Sequence, residues 1–250
     1  MWKTFQNLTL AGLLLATGLA SCAQDTPVAA SKLHGDDESF AFTVTLENLS
    51  QNTALSTALA PLAWAVHAGD SPLFQPQQKA SMAFAALAED GDPEVLIDGL
   101  TGALSKGHLT EPLAPGATTQ FTFDAKPGSR FSFAGMVAET NDVFLGLSGA
   151  QVALFDGRNE PLTGDLTLVL YDAGTEVNQA PGQGDAQAPR QAAPNTGDAE
   201  DAVIQMLSAR SDGFTYPGVG QLFKVTLTAE HEDHEHGEED HDHSEEDHDH

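Results

Sequence analysis

The sequence predicts an all-β domain built from antiparallel strands, with short helices confined to one inserted loop. Five segments, "TTQFTFDA", "SRFSFAGMVA", "AQVALFDG", "GDLTLVLYD" and "QLFKVTLTAE", alternate apolar with polar residues, carry β-branched and aromatic side chains, and are separated by turn residues. Before them, "FAFTVTLENLS" sets Phe40, Phe42, Val44 and Leu46 against smaller or polar neighbours, the period of a half-buried strand. Helical character is limited to "QKASMAFAALAEDGDPEVLIDGL", which is Ala-rich and then broken by Asp90-Gly91 and Asp92-Pro93, so the helices there are short.

The first 22 residues, "MWKTFQNLTLAGLLLATGLASC", have one Lys, an apolar core from Leu8 to Leu19, and small residues before the only cysteine, the order of an export signal. That apolar core falls short of the roughly 20 residues that a membrane-spanning helix needs. Leu19-Ala20-Ser21-Cys22 resembles a bacterial lipobox, in which Cys22 is lipidated and becomes the first residue of the mature chain. Cleavage after a small residue by the ordinary signal peptidase is the other reading. With the lipid, the chain is anchored in the cell envelope, at an outer membrane or the cell surface, without a transmembrane helix. Residues 23–39 are polar and aperiodic, a tether, and residues 40–230 are long enough for one substantial core. "PLAWAVHAG" reads as a second strand and Asp156-Gly157 as a hairpin turn. Asn178 to Gly197 is rich in Gln, Pro, Ala, Gly and Asn, a long loop with little regular structure.

The formal net charge is -27, and the segment from Glu230 onward carries twelve of the 37 acids and none of the ten Lys and Arg. Both parts repel nucleic acid and attract cations. Within the body, "LVLYDAGTEVNQAPG" ends an alternating run and places Asp172 and Glu176 around Gly174. One Asp can cap a turn, but a second acid four residues on bears like-charge repulsion that a cation relieves. Taken alone, the stretch reads more simply as Asp172 capping the turn with Glu176 in solvent.

Three segments in order, "SRFSFAGMVAETNDVFLG", "YDAGTEVNQAPGQGDAQAPRQAAPNTG" and "DGFTYP", resemble the spondin domain, especially its bacterial exported members. The resemblance spans about Phe40 to Ala229. It implies a C2-like β-sandwich with one calcium ion between loops at one end, and a role in adhesion or surface interaction with an extracellular or cell-surface ligand. It places Asp142 and Phe144 of "TNDVF" at the Asp and Phe of the first loop of the family. Asp172, Gly174, Thr175 and Glu176 fall on the second, where animal members usually have Asp at the last position. Val143 stands where those members have Trp. The chemistry agrees: calcium takes six to eight oxygens, and Asp142, Asp172 and Glu176 can supply the charge while Gly174 lets the backbone turn.

The sequence holds no convincing nucleophile-base pair, no P-loop, no dinucleotide fingerprint and no paired-Cys zinc pattern, so it predicts no enzyme. His34 falls in the tether, His67 ends an apolar strand and His108 falls in a loop of Gly and Lys. The other seven histidines, His231, His234, His236, His241, His243, His248 and His250, are interspersed with acids in residues 231–250. That composition predicts a tail with no core of its own, in which imidazoles bind zinc, copper or nickel weakly, or else a solvated acidic extension. The two functional expectations are a calcium-bearing surface module and a transition-metal buffer acting through the tail.

Overall fold

The computed structural model of the chain describes residues 38–231. The export signal, Cys22, nearly all of the tether and the tail histidines from His234 to His250 lie outside the described residues. Along the chain come β1 (Phe40–Asn48), β2 (Ala63–Ala68), α1 (Met82–Asp90), α2 (Glu94–Gly99), β3 (Ala103–His108), β4 (Thr118–Ala125) and β5 (Ser129–Met136). They are followed by β6 (Val143–Leu147), β7 (Val152–Ala153), β8 (Gly164–Asp165), β9 (Leu168–Asp172), β10 (Gln205–Met206), α3 (Val219–Leu222) and β11 (Phe223–His231). His231 is thus the last residue of a strand. Two antiparallel sheets form a sandwich, one ordered β4-β1-β11-β8 and the other β10-β9-β6-β5-β2-β3, with β7 also paired to β5.

The alternation in β1 has the expected cause. Phe40, Phe42, Val44 and Leu46 are buried between the sheets while the residues between them are half-exposed. They meet Val225 and Leu227 of β11, Phe123 of β4, and Phe131, Phe133 and Leu145 from the opposite sheet. Phe42, Phe123 and Phe131 form a run of stacked rings, with centroids 5.7 Å and 4.9 Å apart. Burying each such side chain contributes about 1.5–3 kcal/mol.

The middle of the larger sheet, β2, β5 and β6, is buried on both faces. On its outer side Ala63, Ala65, Ala134, Phe144 and Tyr171 pack against Phe84, Leu87 and Ala88 of α1 and Leu96 and Ile97 of α2. β6 therefore reads "VFLGL", buried at every position with no alternation. α1 starts where the Ser81 side chain accepts the Phe84 amide at 3.1 Å, and stops at Gly91, whose φ of 69° is left-handed. The Asp90-Gly91 signal is thus a helix stop, and it fixes Glu89 at the inner end of α1.

Three local expectations change. "GDLTLVLYD" is not one strand: the Leu166 amide bonds to Val225 of the smaller sheet while the Thr167 carbonyl accepts from Ser148 beside the larger one. The chain changes sheets between these two residues, leaving β8 and β9 on opposite sides. "AQVALFDG" contributes only two residues of strand and an isolated Phe155–Pro161 bridge. His108 ends β3 instead of lying in a loop, because Gly107 lets the Trp64 ring lie on the backbone, where a Cβ would come within 2.7 Å of it. Among the described residues no helix is long and apolar enough to cross a membrane.

Candidate functional site

Strand register brings the two aspartates together. Val143 pairs with Asp172 across β6 and β9, and the Ala173 amide donates to the Asp142 carbonyl at 3.2 Å, so both carboxylates sit at one end of neighbouring strands. The turn that leads into β6 is held by Thr140, whose hydroxyl donates to the Val137 carbonyl at 2.7 Å and accepts from the Val143 amide at 3.2 Å. Asp142, Asp172 and Glu176 are all buried, as is Asn141.

The Asp-Ala-Gly-Thr segment wraps around Asp142. The amides of Thr175 and Glu176 donate to Asp142 Oδ2 at 2.8 and 3.1 Å, joined by the Thr175 hydroxyl at 3.2 Å. Gly174 makes this possible: its φ is 69°, and a Cβ there would come within 2.9 Å of Ala202. Asp142 Oδ1, by contrast, is buried with no hydrogen-bond partner. Burial, then the charge of Asp172, push the Asp142 carboxyl up to about 7 against the pull of the Thr175 and Glu176 amides.

Asp172 is better served. Its Oδ1 accepts the Gly174 amide at 2.9 Å, and its Oδ2 accepts from Asn178 Nδ2 at 2.6 Å and pairs with Arg210 Nε at 3.0 Å. Arg210 reaches on to Glu200 through Nη2. Burial still raises the Asp172 carboxyl, with Asn178 and Arg210 opposing. The turn-capping expectation thus holds for Asp172, while Glu176 is not in solvent. Glu176 Oε1 accepts the Gly197 amide at 2.9 Å, and Oε2 lies 3.4 Å from Asn141 Nδ2. Position 197 is a close approach that admits no Cβ against the Glu176 carboxylate. Residues 198–202 run alongside the loop, through Val177 N to Asp198 O at 2.8 Å and Glu200 N to Thr175 O at 2.8 Å.

A fourth acid belongs here. Glu89, buried at the end of α1, is raised by burial, opposed by a hydrogen bond from Thr175 and reinforced by the charge of Glu176. Burial raises Glu176 as well. Sequence reading missed Glu89, Asn141, Gly197 and Arg210. The available signal for Arg210 was scarcity, since ten Lys and Arg face 37 acids.

The carboxylate oxygens of the site suit a hard cation in their chemistry, and the orphaned Asp142 Oδ1 is an unused ligand atom. In arrangement, no three or more His, Cys, Asp or Glu among the described residues are placed to hold one metal ion. Arg210 is the cation beside Asp172. The remaining expectations resolve simply. Val143 is buried in the inter-sheet core, so it presents no surface contact in place of Trp, and Phe144 packs on Phe74, Phe84 and Tyr171. His67 is buried with Nδ1 donating to the Gly69 carbonyl at 3.1 Å. Comparison with protein-family models and with curated proteins gives no match.

Proposed function

We propose that this chain is a calcium-ordered interaction module: an exported, lipid-anchored, spondin-like sandwich that binds a surface molecule and catalyses nothing. One observation carries the reading. Asp142 Oδ1 is a buried carboxylate oxygen without a partner, beside a second buried aspartate, at the loop end where the resemblance puts calcium. An unpaired buried charge is costly, and a cation offsets that cost. Asp142 and Asp172 would hold the ion, with Arg210 yielding its place on Asp172, and Glu176 would keep its bond to Gly197. A bound ion supplies positive charge and fixes the loops that radiate from residues 142 and 172–178. The test is the melting temperature of the full mature chain, with calcium and with chelator, for the wild type and Asp142→Asn. At a hundredfold excess over its dissociation constant, calcium stabilises the wild type by about 2.7 kcal/mol, and the variant loses that response. Equal melting with calcium and chelator in the wild type overturns the reading.

A second reading rests on the tail, where seven histidines lie among twelve acids: a metal buffer for zinc, copper or nickel. Replacing all seven histidines with serine in the full chain abolishes zinc binding by calorimetry if the tail is the site. Affinity then falls as pH drops through about 6.5, because the ligand is the neutral imidazole. Unchanged zinc stoichiometry in that variant leaves the tail as a solvated acidic extension. Lipidation of Cys22 is checked by intact mass, which carries the acyl groups if the anchor is there.

A further inference from the structure

Beside the acid cluster the segment 210–218 opens three clefts, of about 500, 440 and 310 Å3, and the Phe214 ring lines all of them. The largest is apolar in character, bounded by Leu168 and Leu170 of β9, Met206 and Tyr216. The second is bounded by Val177, Glu200 and Asp212. Three large apolar side chains stand out to solvent here: Met206 is 50% exposed, Val177 48% and Phe214 37%. Phe214 shares one cleft with Met206 and another with Val177, and exposed apolar side chains gathered beside polar groups are what an interaction site offers.

Two further facts define what fits. The first is backbone. β10 pairs only with Tyr171 and Asp172, so among the described residues Leu168–Leu170 of β9 has no strand on that side. The largest cleft runs along this edge, where α3 and the 3₁₀ turn after β10 also approach β9. The second is charge. Arg210 is the only cation lining the clefts, and it already serves Asp172 and Glu200. Asp212 accepts only from neutral donors, the Phe214 amide at 2.9 Å and the Tyr216 hydroxyl at 3.1 Å, so with Glu200 and Asp172 sharing one arginine the second cleft is left negative. An anionic occupant is disfavoured and a cationic one drawn in.

We infer that the Phe214 groove takes an extended segment of a partner protein in which Lys or Arg flanks an aliphatic or aromatic residue. The apolar side chain enters the cleft between β9 and Tyr216, the cationic one faces Glu200 and Asp212, and Phe214 divides the two. This rests on the reading of the chain as an interaction module and names its partner class. It does not require calcium to be the ordering ion.

The test uses fluorescein-labelled peptides of alternating Leu and Lys, or of alternating Ser and Lys with the same charge. Binding to the full mature chain is followed by anisotropy at physiological ionic strength. The acidic tail attracts both peptides alike, so the groove shows as the difference between them. The Leu-Lys peptide binds about tenfold more tightly. Phe214→Ala erases the preference, and Asp212→Asn weakens the Leu-Lys peptide alone. Met206→Ser, at an exposed position, is the second variant and also reduces the preference. Equal binding of the two peptides, or a preference that survives both Phe214→Ala and Met206→Ser, overturns the inference. The calcium-dependent melting shift, measured on the same proteins, separates the outcomes. A shift without peptide preference sinks the groove and leaves the calcium reading. Peptide preference without a shift does the reverse.

Discussion

The space between the sheets and the loop end at Asp142 are equally dry but held in opposite ways. Between the sheets, Phe42, Phe123, Phe131 and Phe133 need nothing beyond one another. At the loop end, Glu89, Asp142, Asp172 and Glu176 are as buried as the phenylalanines, and each needs a donor or a cation. Asp172 has both, Glu176 has an amide, and one oxygen of Asp142 has nothing. The first region is stable by volume alone. The second depends on named partners, so it is where pH, ions and single substitutions act selectively.

The sharpest way to break the comparison is to damage each side in its own currency. Phe131→Ala leaves a cavity in the inter-sheet core and costs about 3–5 kcal/mol by denaturant unfolding, with no dependence on pH or calcium. Arg210→Met keeps volume but strips Asp172 of its cation, and costs about 3 kcal/mol at neutral pH. Its cost is smaller at pH 5.5 than at neutral pH, because burial raises the Asp172 carboxyl and so favours its neutral form as pH falls. If the Arg210→Met penalty is the same at both pH values, the loop end behaves like the core and the contrast fails.

Gly197→Ala comes next. The added methyl meets the Glu176 carboxylate and must displace it, for about 2 kcal/mol. A neutral melting temperature in this variant shows that the Glu176 side chain has somewhere else to go.

How much of this was legible in the sequence follows from the same contrast. β1 was readable because one face meets the core and the other meets water, so its period shows. β6 was not readable by period, because both of its faces are covered. The sheet change between Leu166 and Thr167 was hidden by an unbroken run of strand-forming residues from Leu166 to Leu170, with no turn residue to mark it. Of the site, Asp172 and Glu176 announced themselves by repulsion between neighbours. Arg210 and Glu89 reach them only through the fold, from a 3₁₀ turn after β10 and from the end of α1, and no local pattern links such positions.

A pH titration sharpens the picture. Asp142 holds its proton up to about 7 in the folded chain, against about 3.9 for an unfolded aspartate, so folding binds a proton between those values. Stability therefore falls as pH rises from about 4 to about 7, by up to about 1.4 kcal/mol per unit, and levels off above that. The raised Asp172, Glu176 and Glu89 act with the same sign. His67, lowered mainly by burial, acts oppositely, losing stability as pH falls below its unfolded value of about 6.5. Comparing the wild type with Asp142→Asn cancels His67. The wild type gains more than the variant on going from pH 7.5 to 5.5, and identical slopes would refute the assignment. The smallest effect belongs to the surface. Lys79→Ala removes an exposed ion pair with Asp201 and changes stability by less than about 0.5 kcal/mol.

The close seat of Trp64 on Gly107 has an optical consequence. Trp64 stacks on Phe121 and Phe123, at 5.3 and 5.5 Å between ring centroids. The other tryptophan of the chain is Trp2, in the segment that the sequence predicts to be an export signal. In a chain cut after that segment, all indole emission comes from Trp64, set against Gly107 of β3 and Phe121 of β4. Its wavelength shifts red when the two sheets part and stays fixed when only the distant carboxylate loops rearrange. The protein thus carries a built-in lamp that distinguishes melting of the framework from loosening of the acidic loop end.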